Sequence, residues 1–428
     1  MQGKALPGFR EFYPDETALR NHIFAIWRSV AARYGFEEYD GPPLEPLELY
    51  TQKSGAEIVA QLYAFTDKGE REVALRPEMT PTLARMVGAR AQALKKPIRW
   101  FAIPQLFRYE RQQRGRLREH FQLNMDIIGE AGALADAELI AAAIDVLRAC
   151  GLSARDVRAR MSDRRVLQAL LAGVGVAAGQ LDAAYAAIDR SERVPQEALA
   201  EGLQAAGCSP QTVEGIFRVA GLKGLGPVTA ELDRIGKAEI GAPLVEAHGA
   251  LAAMGLGDFV DVDLTIVRGL AYYTGTVFEL FDASKSLRAI CGGGRYDGLL
   301  KALGGVDLPA LGFGMGDVVL GELLKEHSVA PKQVSRLDGF LIPVGVDDYP
   351  SVLKLAHELR DAGLAVEYSL KPQAVRKQLE LAAARAAPRA VIIGPDERTA
   401  GTAVVRDLVG GVERAVPIAT VLTELKRS

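Results

Sequence analysis

Residues 107–129 read FRYERQQRGRLREHFQLNMDIIG. From Phe121 onward the residues alternate, with Phe121, Leu123, Met125 and Ile127 on one side and Gln122, Asn124 and Asp126 on the other. That is the period of a strand with one apolar and one polar face. Just before it, Arg108, Arg111, Arg114, Arg116 and Arg118 crowd guanidinium groups against Glu110 and Glu119. A loop of this kind between two strands suits phosphate, because guanidinium forks match phosphate oxygens and stay charged at any working pH. A solvated hairpin tip is the plainer alternative. The polar row favours a site, with a carboxylate placed to receive a cationic or N–H-bearing side chain, although a sheet face open to solvent would read the same way.

Working outward, FEEYDGPPLE (36–45), EVALRPEMT (72–80) and IRWFAIPQLFRYE (98–110) are extended segments separated by turn residues, so an antiparallel sheet is expected. A helix precedes them, with Asp15 as N-cap, apolar residues at helical spacing from Leu19 to Tyr34, and Gly35 as the stop. In LRPEMT, Arg76, Glu78 and Thr80 alternate to one side of a short strand. Glu78 and Thr80 suit an α-amino group; equally, Thr80 caps a helix with Pro81 in its first position, and both roles are compatible. A further helix opens near Asp136 and closes at Gly151, and residues from about 155 to 255 read as a helical insertion. Strand-like text returns at FVDVDLTIVRGLAYYTGTVFELF (259–281) and runs through CGGGRYDG (291–298) to ALGFGMGDVVLGELL (310–324). Arg268 is joined there to Tyr272 and Tyr273, which as neighbours on a strand point to opposite sides, so only one of them shares a pocket with Arg268. Gly292, Gly293 and Gly294 permit close approach to a flat or phosphorylated ligand, with a tight turn as the plainer reading. After a polar linker at 326–336, residues 337–428 alternate strand and helix, the pattern of a small α/β domain with a mainly parallel sheet.

The 428 residues suit two or three domains, and 49% hydrophobic with 25% charged residues is an ordinary globular balance. The opening MQGKALPGFREFYPDE has no apolar stretch like a secretory signal, and no later run approaches a bilayer span, so the cytoplasm is the expected compartment. Three cysteines and five histidines lack metal-binding spacing, which leaves any metal to oxygen ligands. At a net charge of −3, nucleic acid would need local basic surface. Neither a Walker A sequence nor a Rossmann glycine fingerprint is present, which excludes those two modes of nucleotide binding.

Taken in order along the chain, these segments resemble the class II aminoacyl-tRNA synthetases, and within them the histidyl family. GFEEYDGPPLE, with Pro42, is similar to the class's first, dimer-interface motif, and FRYERQQRGRLREHFQ to its second. RGLAYYTGTVFE is similar to the histidine-specific RGLDYY signature, LRPEMT to the amino-acid-binding strand, and the tail to an anticodon-binding domain. The resemblance implies an α+β catalytic domain over 1–325, with an antiparallel sheet and helical insertion, joined by the linker to an α/β anticodon-binding domain. It implies ATP and Mg²⁺, histidine and tRNA(His) as partners, and a homodimer. It implies further that Glu78, Thr80 and Gln122 hold the amino group, that Asp126 with Tyr272 or Tyr273 serves the imidazole, and that Arg108 and Arg268 are catalytic. Glu110 and Arg116 would join those arginines around ATP, while Arg111 and Gln113 would meet the tRNA acceptor end. The chain departs from the pattern at Val319, where an arginine for the γ-phosphate is usual, at Ala271, Asp126 and Gln112. Two non-ligating relatives share the resemblance: a regulatory subunit of ATP phosphoribosyltransferase, which lacks the anticodon domain, and a tRNA-sensing module.

Overall fold

The structure is a computed structural model and describes residues 3, 5–51, 59–110, 115, 117–267, 273–284, 287–330 and 337–426. The chain forms two compact units, Met1–Ala330 and Pro331–Ser428.

The first unit is built on a sheet of nine strands among the described residues. In chain order these are β1 (Glu37–Glu38), β2 (Ile98–Ala102), β3 (Gln105–Phe107), β4 (Glu119–Ile128), β5 (Val157–Asp163), β6 (Val260–Val262), β7 (Thr276–Asp282), β8 (Cys291–Arg295) and β9 (Ala310–Gly316). Their spatial order is β1-β2-β4-β9-β8-β7-β5-β6, with β3 also on β4. The central pairings are antiparallel and only the two outermost are parallel, which bears out the antiparallel expectation.

The alternation in β4 sorts its side chains between the two faces. Leu123, Met125 and Ile127 are buried with Phe313 and Met315 of β9 beneath the helices Pro14–Arg33 and Ala133–Ala149. Removing side chains of this size from water stabilises the fold by about 1.5–3 kcal/mol each. The helix Ala133–Ala149 is apolar around most of its circumference, as suits a helix buried against the sheet. Gln122, Asn124 and Asp126 occupy the other face.

Several local expectations are corrected. The first helix begins at Pro14 with Tyr13 as N-cap, and Asp15 lies in its first turn, where a negative charge favours the helix dipole; Gly35 does take the left-handed conformation, at φ 73. Residues 157–163, assigned to the helical insertion, form β5 of the main sheet, and the inserted helices run from Arg164 to Ala253. Their signal was present: Val157, Ala159 and Met161 alternate with Arg158, Arg160 and Ser162. CGGGR is a buried strand and not a turn.

In the second unit, Gly339–Pro343 lies between Val366–Tyr368 and Arg389–Ile393 with parallel pairing, as expected. Thr402–Asp407 and then Glu413–Pro417 extend the sheet by antiparallel pairing, so it is mixed and not mainly parallel.

Candidate active site

The glycines of β8 and β9 make room for the polar row of β4. A Cβ at Gly312 would overlap Asp126 Oδ1, and one at Gly314 would overlap Gln122 Nε2. At Gly294, opposite Gly312, it would meet Tyr273 Cδ1 at 2.9 Å. Both side chains therefore lie over bare backbone, and Tyr273 stands beside them across the sheet.

Asp126 is buried at 3% exposure and accepts a hydrogen bond from the Tyr296 hydroxyl. Burial lifts its carboxyl to about 7, against which the Tyr296 bond pulls downward. Tyr296 is held by its neighbour, since Arg295 forms a buried ion pair with Asp136 at 2.7 Å and donates to the Glu130 and Gly132 carbonyls. Tyr39, tilted against Trp100 with ring centroids 5.3 Å apart, has a buried hydroxyl with no hydrogen-bond partner among the described residues. Burial, then the charge of Asp126, raises that hydroxyl well above its ordinary value. Asn124 is likewise buried, its Oδ1 unpartnered among the described residues. Aromatic rings and polar tips thus gather around one buried carboxylate, a set of groups suited to a flat ring bearing N–H groups.

Gln122, on the same face of β4, lines a cleft of about 700 Å³ together with Arg108, Glu110, His120, Glu279, Arg288 and Val319. Arg108 donates from Nε to the Pro77 carbonyl at 2.9 Å, tying the arginine-rich segment to the RPEM turn. His120 is pushed down to about 4 by burial and by Arg108, so it is a neutral ring at working pH; its Nε2 stands 3.3 Å from Gln122 Oε1. Arg118 stacks over Tyr109 at 4.2 Å.

The RPEM segment differs from its expected form. The strand stops at Leu75, since Pro77 has no N–H for a ladder, and Arg76 is a buried tether donating to Asp40 at 2.8 Å, the Gly41 carbonyl and the Gln105 carbonyl. Glu78 is buried in the connection, and Thr80 starts the following helix with Met79 as N-cap, so Pro81 is second and not first. Glu119, expected to face the arginines, instead joins Arg10 at 2.6 Å, and Arg10 also binds Asp317 at 2.8 Å. Asp317 in turn accepts from the Phe121 amide. Arg111, Gln112, Gln113, Arg114, Arg116, Arg268, Ala271 and Tyr272 lie outside the described residues.

The family model for histidyl-tRNA synthetase matches residues 8–316. The chain belongs to the histidyl-tRNA synthetase family. An anticodon-binding-domain model matches residues 339–428, the second unit. A histidine–tRNA ligase of Opitutus terrae is 47% identical over 97% of this chain and 96% of its own length. The chloroplastic/mitochondrial histidine–tRNA ligase of Arabidopsis thaliana is 40% identical over 96% of this chain and 84% of its own. A crystal structure of histidyl-tRNA synthetase from Nostoc sp. superposes with a TM-score of 0.86 at 25% identity, covering 100% of this chain and 99% of that one. Within the histidyl-tRNA synthetase frame, sequence reasoning missed Tyr39 and Tyr296: each earns its place only through a long-range approach to Asp126, which no local pattern announces.

Proposed function

We propose that this chain activates histidine with ATP and transfers it to the 3′ end of tRNA(His). The observation that carries the reading is the buried Asp126–Tyr296 pair, on the same strand face as Gln122, which lines with Arg108 a cleft of about 700 Å³. The anticodon-binding unit supports ligation over the regulatory alternative.

In this reading a histidine carboxylate oxygen attacks the α-phosphorus and pyrophosphate leaves. The terminal ribose hydroxyl of the tRNA then attacks the activated carbonyl and displaces AMP. Glu78, Thr80 and Gln122 hold the α-ammonium group. Asp126, Tyr273 and Tyr296 serve the imidazole nitrogens, with Tyr272 as the alternative side of the paired tyrosines. A substrate lacking those nitrogens leaves buried polar groups unpaired, which is a strong means of rejection. Arg108 and Arg268 grip the α-phosphate and stabilise the charge that develops there, Glu110 and Arg116 position ATP, and Arg111 with Gln113 meets the acceptor end. The protein's part is chiefly positioning and preorganised charge.

Mg²⁺ carried with the triphosphate fits the cleft, since Glu110 and Glu279 supply hard oxygen donors and Mg²⁺ commonly takes one or two carboxylates beside phosphate oxygens. When bound it would neutralise phosphate charge. We place the activity in the cytoplasm and the chain in a homodimer, through the Pro42 segment; sedimentation as a monomer at micromolar concentration would remove the dimer.

The test of the function is histidine-dependent exchange of labelled pyrophosphate into ATP. Exchange with histidine alone among the amino acids is expected. A folded protein that exchanges with none of them would overturn the reading.

A further inference from the structure

Val319 leaves the triphosphate end of the cleft without the arginine that the family pattern puts at that position. The cleft wall holds a cation next to the vacancy. Arg288 and Val319 both line the cleft, and both approach the same glycine: a Cβ at Gly115 would lie 3.4 Å from Val319 Cγ2 and 3.9 Å from Arg288 Cδ. Arg288 sits just before β8, where the Ile290 amide bonds to the Leu280 carbonyl at 2.8 Å and fixes the start of the strand. Ile290 is buried while Arg288 is exposed, so the segment is anchored by one residue and presents the other.

Arg160 and Arg193 also line the cleft, each beside a carboxylate. Arg160 pairs with Glu192 at 2.9 Å and lies 3.6 Å from Asp263. Arg193 pairs with Asp189 at 3.2 Å within its own turn. Beside Arg288, the cleft is bordered by Gly316, Val318 and Val319 at the N-terminus of the helix Asp317–Glu326, an end whose partial positive charge adds to an arginine's attraction for phosphate.

We propose that Arg288 grips the β- and γ-phosphates of ATP, supplying from the segment before β8 the cation that the family takes from the position of Val319. The assignment rests on the ATP-dependent activation proposed above. It makes Val319 a relocated charge and not a lost one.

The experiment is histidine-dependent pyrophosphate exchange by the full-length wild type, Arg288→Ala and Arg288→Ala/Val319→Arg, with competition by AMP and by pyrophosphate. Arg288→Ala is expected to raise KM for ATP about tenfold or more, as for a lost charge-assisted bond, and to weaken inhibition by pyrophosphate similarly. AMP, which lacks the β- and γ-phosphates, should inhibit as before, and KM for histidine should stay within about twofold. Val319→Arg should recover much of the lost ATP affinity in the double variant. An ATP KM within about twofold of wild type in Arg288→Ala, or equal weakening of AMP and ATP, would overturn the assignment while leaving activation intact. A wild type that shows no exchange would overturn the activation reading and this inference with it.

Discussion

Asp126 carries a testable consequence of its own burial. Its carboxyl is lifted to about 7, so between its ordinary value of 3.8 and about 7 the folded chain keeps a proton that the unfolded chain has released. The sign follows: this group's contribution to stability is full below about pH 4 and is lost as pH rises through about 7. The same proton matters to substrate. Below that pH Asp126 can donate to a neutral imidazole nitrogen, and above it the carboxylate can only accept. KM for histidine is expected to show a break near pH 7. Asp126→Asn should raise that KM about tenfold or more and erase the break; a break that survives in Asp126→Asn would belong to another group. Arg10 offers a structural counterpart. Its partners Glu119 and Asp317 have side chains only 1% and 3% exposed. Burial raises the Glu119 carboxyl, but hydrogen bonds from Arg10 and Gln105 outweigh it and hold the group below its usual value. Burial keeps Asp317 above its own. Arg10→Met would leave two buried carboxylates without their cation, at a cost of about 3 kcal/mol or more. Denaturant unfolding should show that deficit at pH 7 and a smaller one at acid pH, where the two carboxyls of the variant, no longer held ionised by Arg10, take up protons.

At the scale of the element, β8 and β9 divide their glycines between two duties that substitution separates. A methyl at Gly314 meets only the end of the Gln122 side chain, which can swing aside. Gly314→Ala should therefore leave thermal stability nearly unchanged and impair histidine-dependent exchange, because Gln122 is displaced from its place in the cleft wall. A methyl at Gly293 meets the Gly312 carbonyl and Phe313 Cα at 2.8 Å, which are backbone and cannot move cheaply. Gly293→Ala should cost about 1–3 kcal/mol in unfolding experiments; equal stability losses in both variants would contradict this division. These strands also show where the sequence was readable. The two faces of β4 were legible because its side chains alternate in kind. The strand β8 was not, because Gly292, Gly293 and Gly294 have no side chains to alternate, and a glycine run reads locally as a turn. Glu78 and Thr80 were legible as neighbours of a helix start, whereas the end of the strand at Leu75 and the tether role of Arg76 depend on Asp40 and Gln105, distant in sequence. Tyr296 was hidden for the same reason, since its partner Asp126 is set by strand order and not by spacing.

At the scale of the molecule, the two units have separate hydrophobic cores, one beneath β4 and β9, the other around Leu341, Val391 and Val405. The division between the units was visible as a change from irregular strand text to regular strand–helix alternation. A chain with net charge −3 must bind RNA through local cationic surface, and in the second unit Lys371, Arg376 and Lys377 are exposed within seven residues at the head of the helix Val375–Ala384. Arg376 reaches Glu380 at 3.1 Å, but both side chains are largely in water, so that pair holds it only weakly. Reversing all three to glutamate replaces attraction to phosphate by repulsion without touching either core. Tight tRNA binding should fall about a hundredfold, as for the loss of two or three charge-assisted contacts, and the salt dependence of the residual affinity should flatten. Histidine-dependent pyrophosphate exchange needs no tRNA and should proceed at the wild-type rate. If exchange fell in step with tRNA binding, the two units would not act as separable modules; if neither changed, the RNA-binding surface of the second unit would lie on another face.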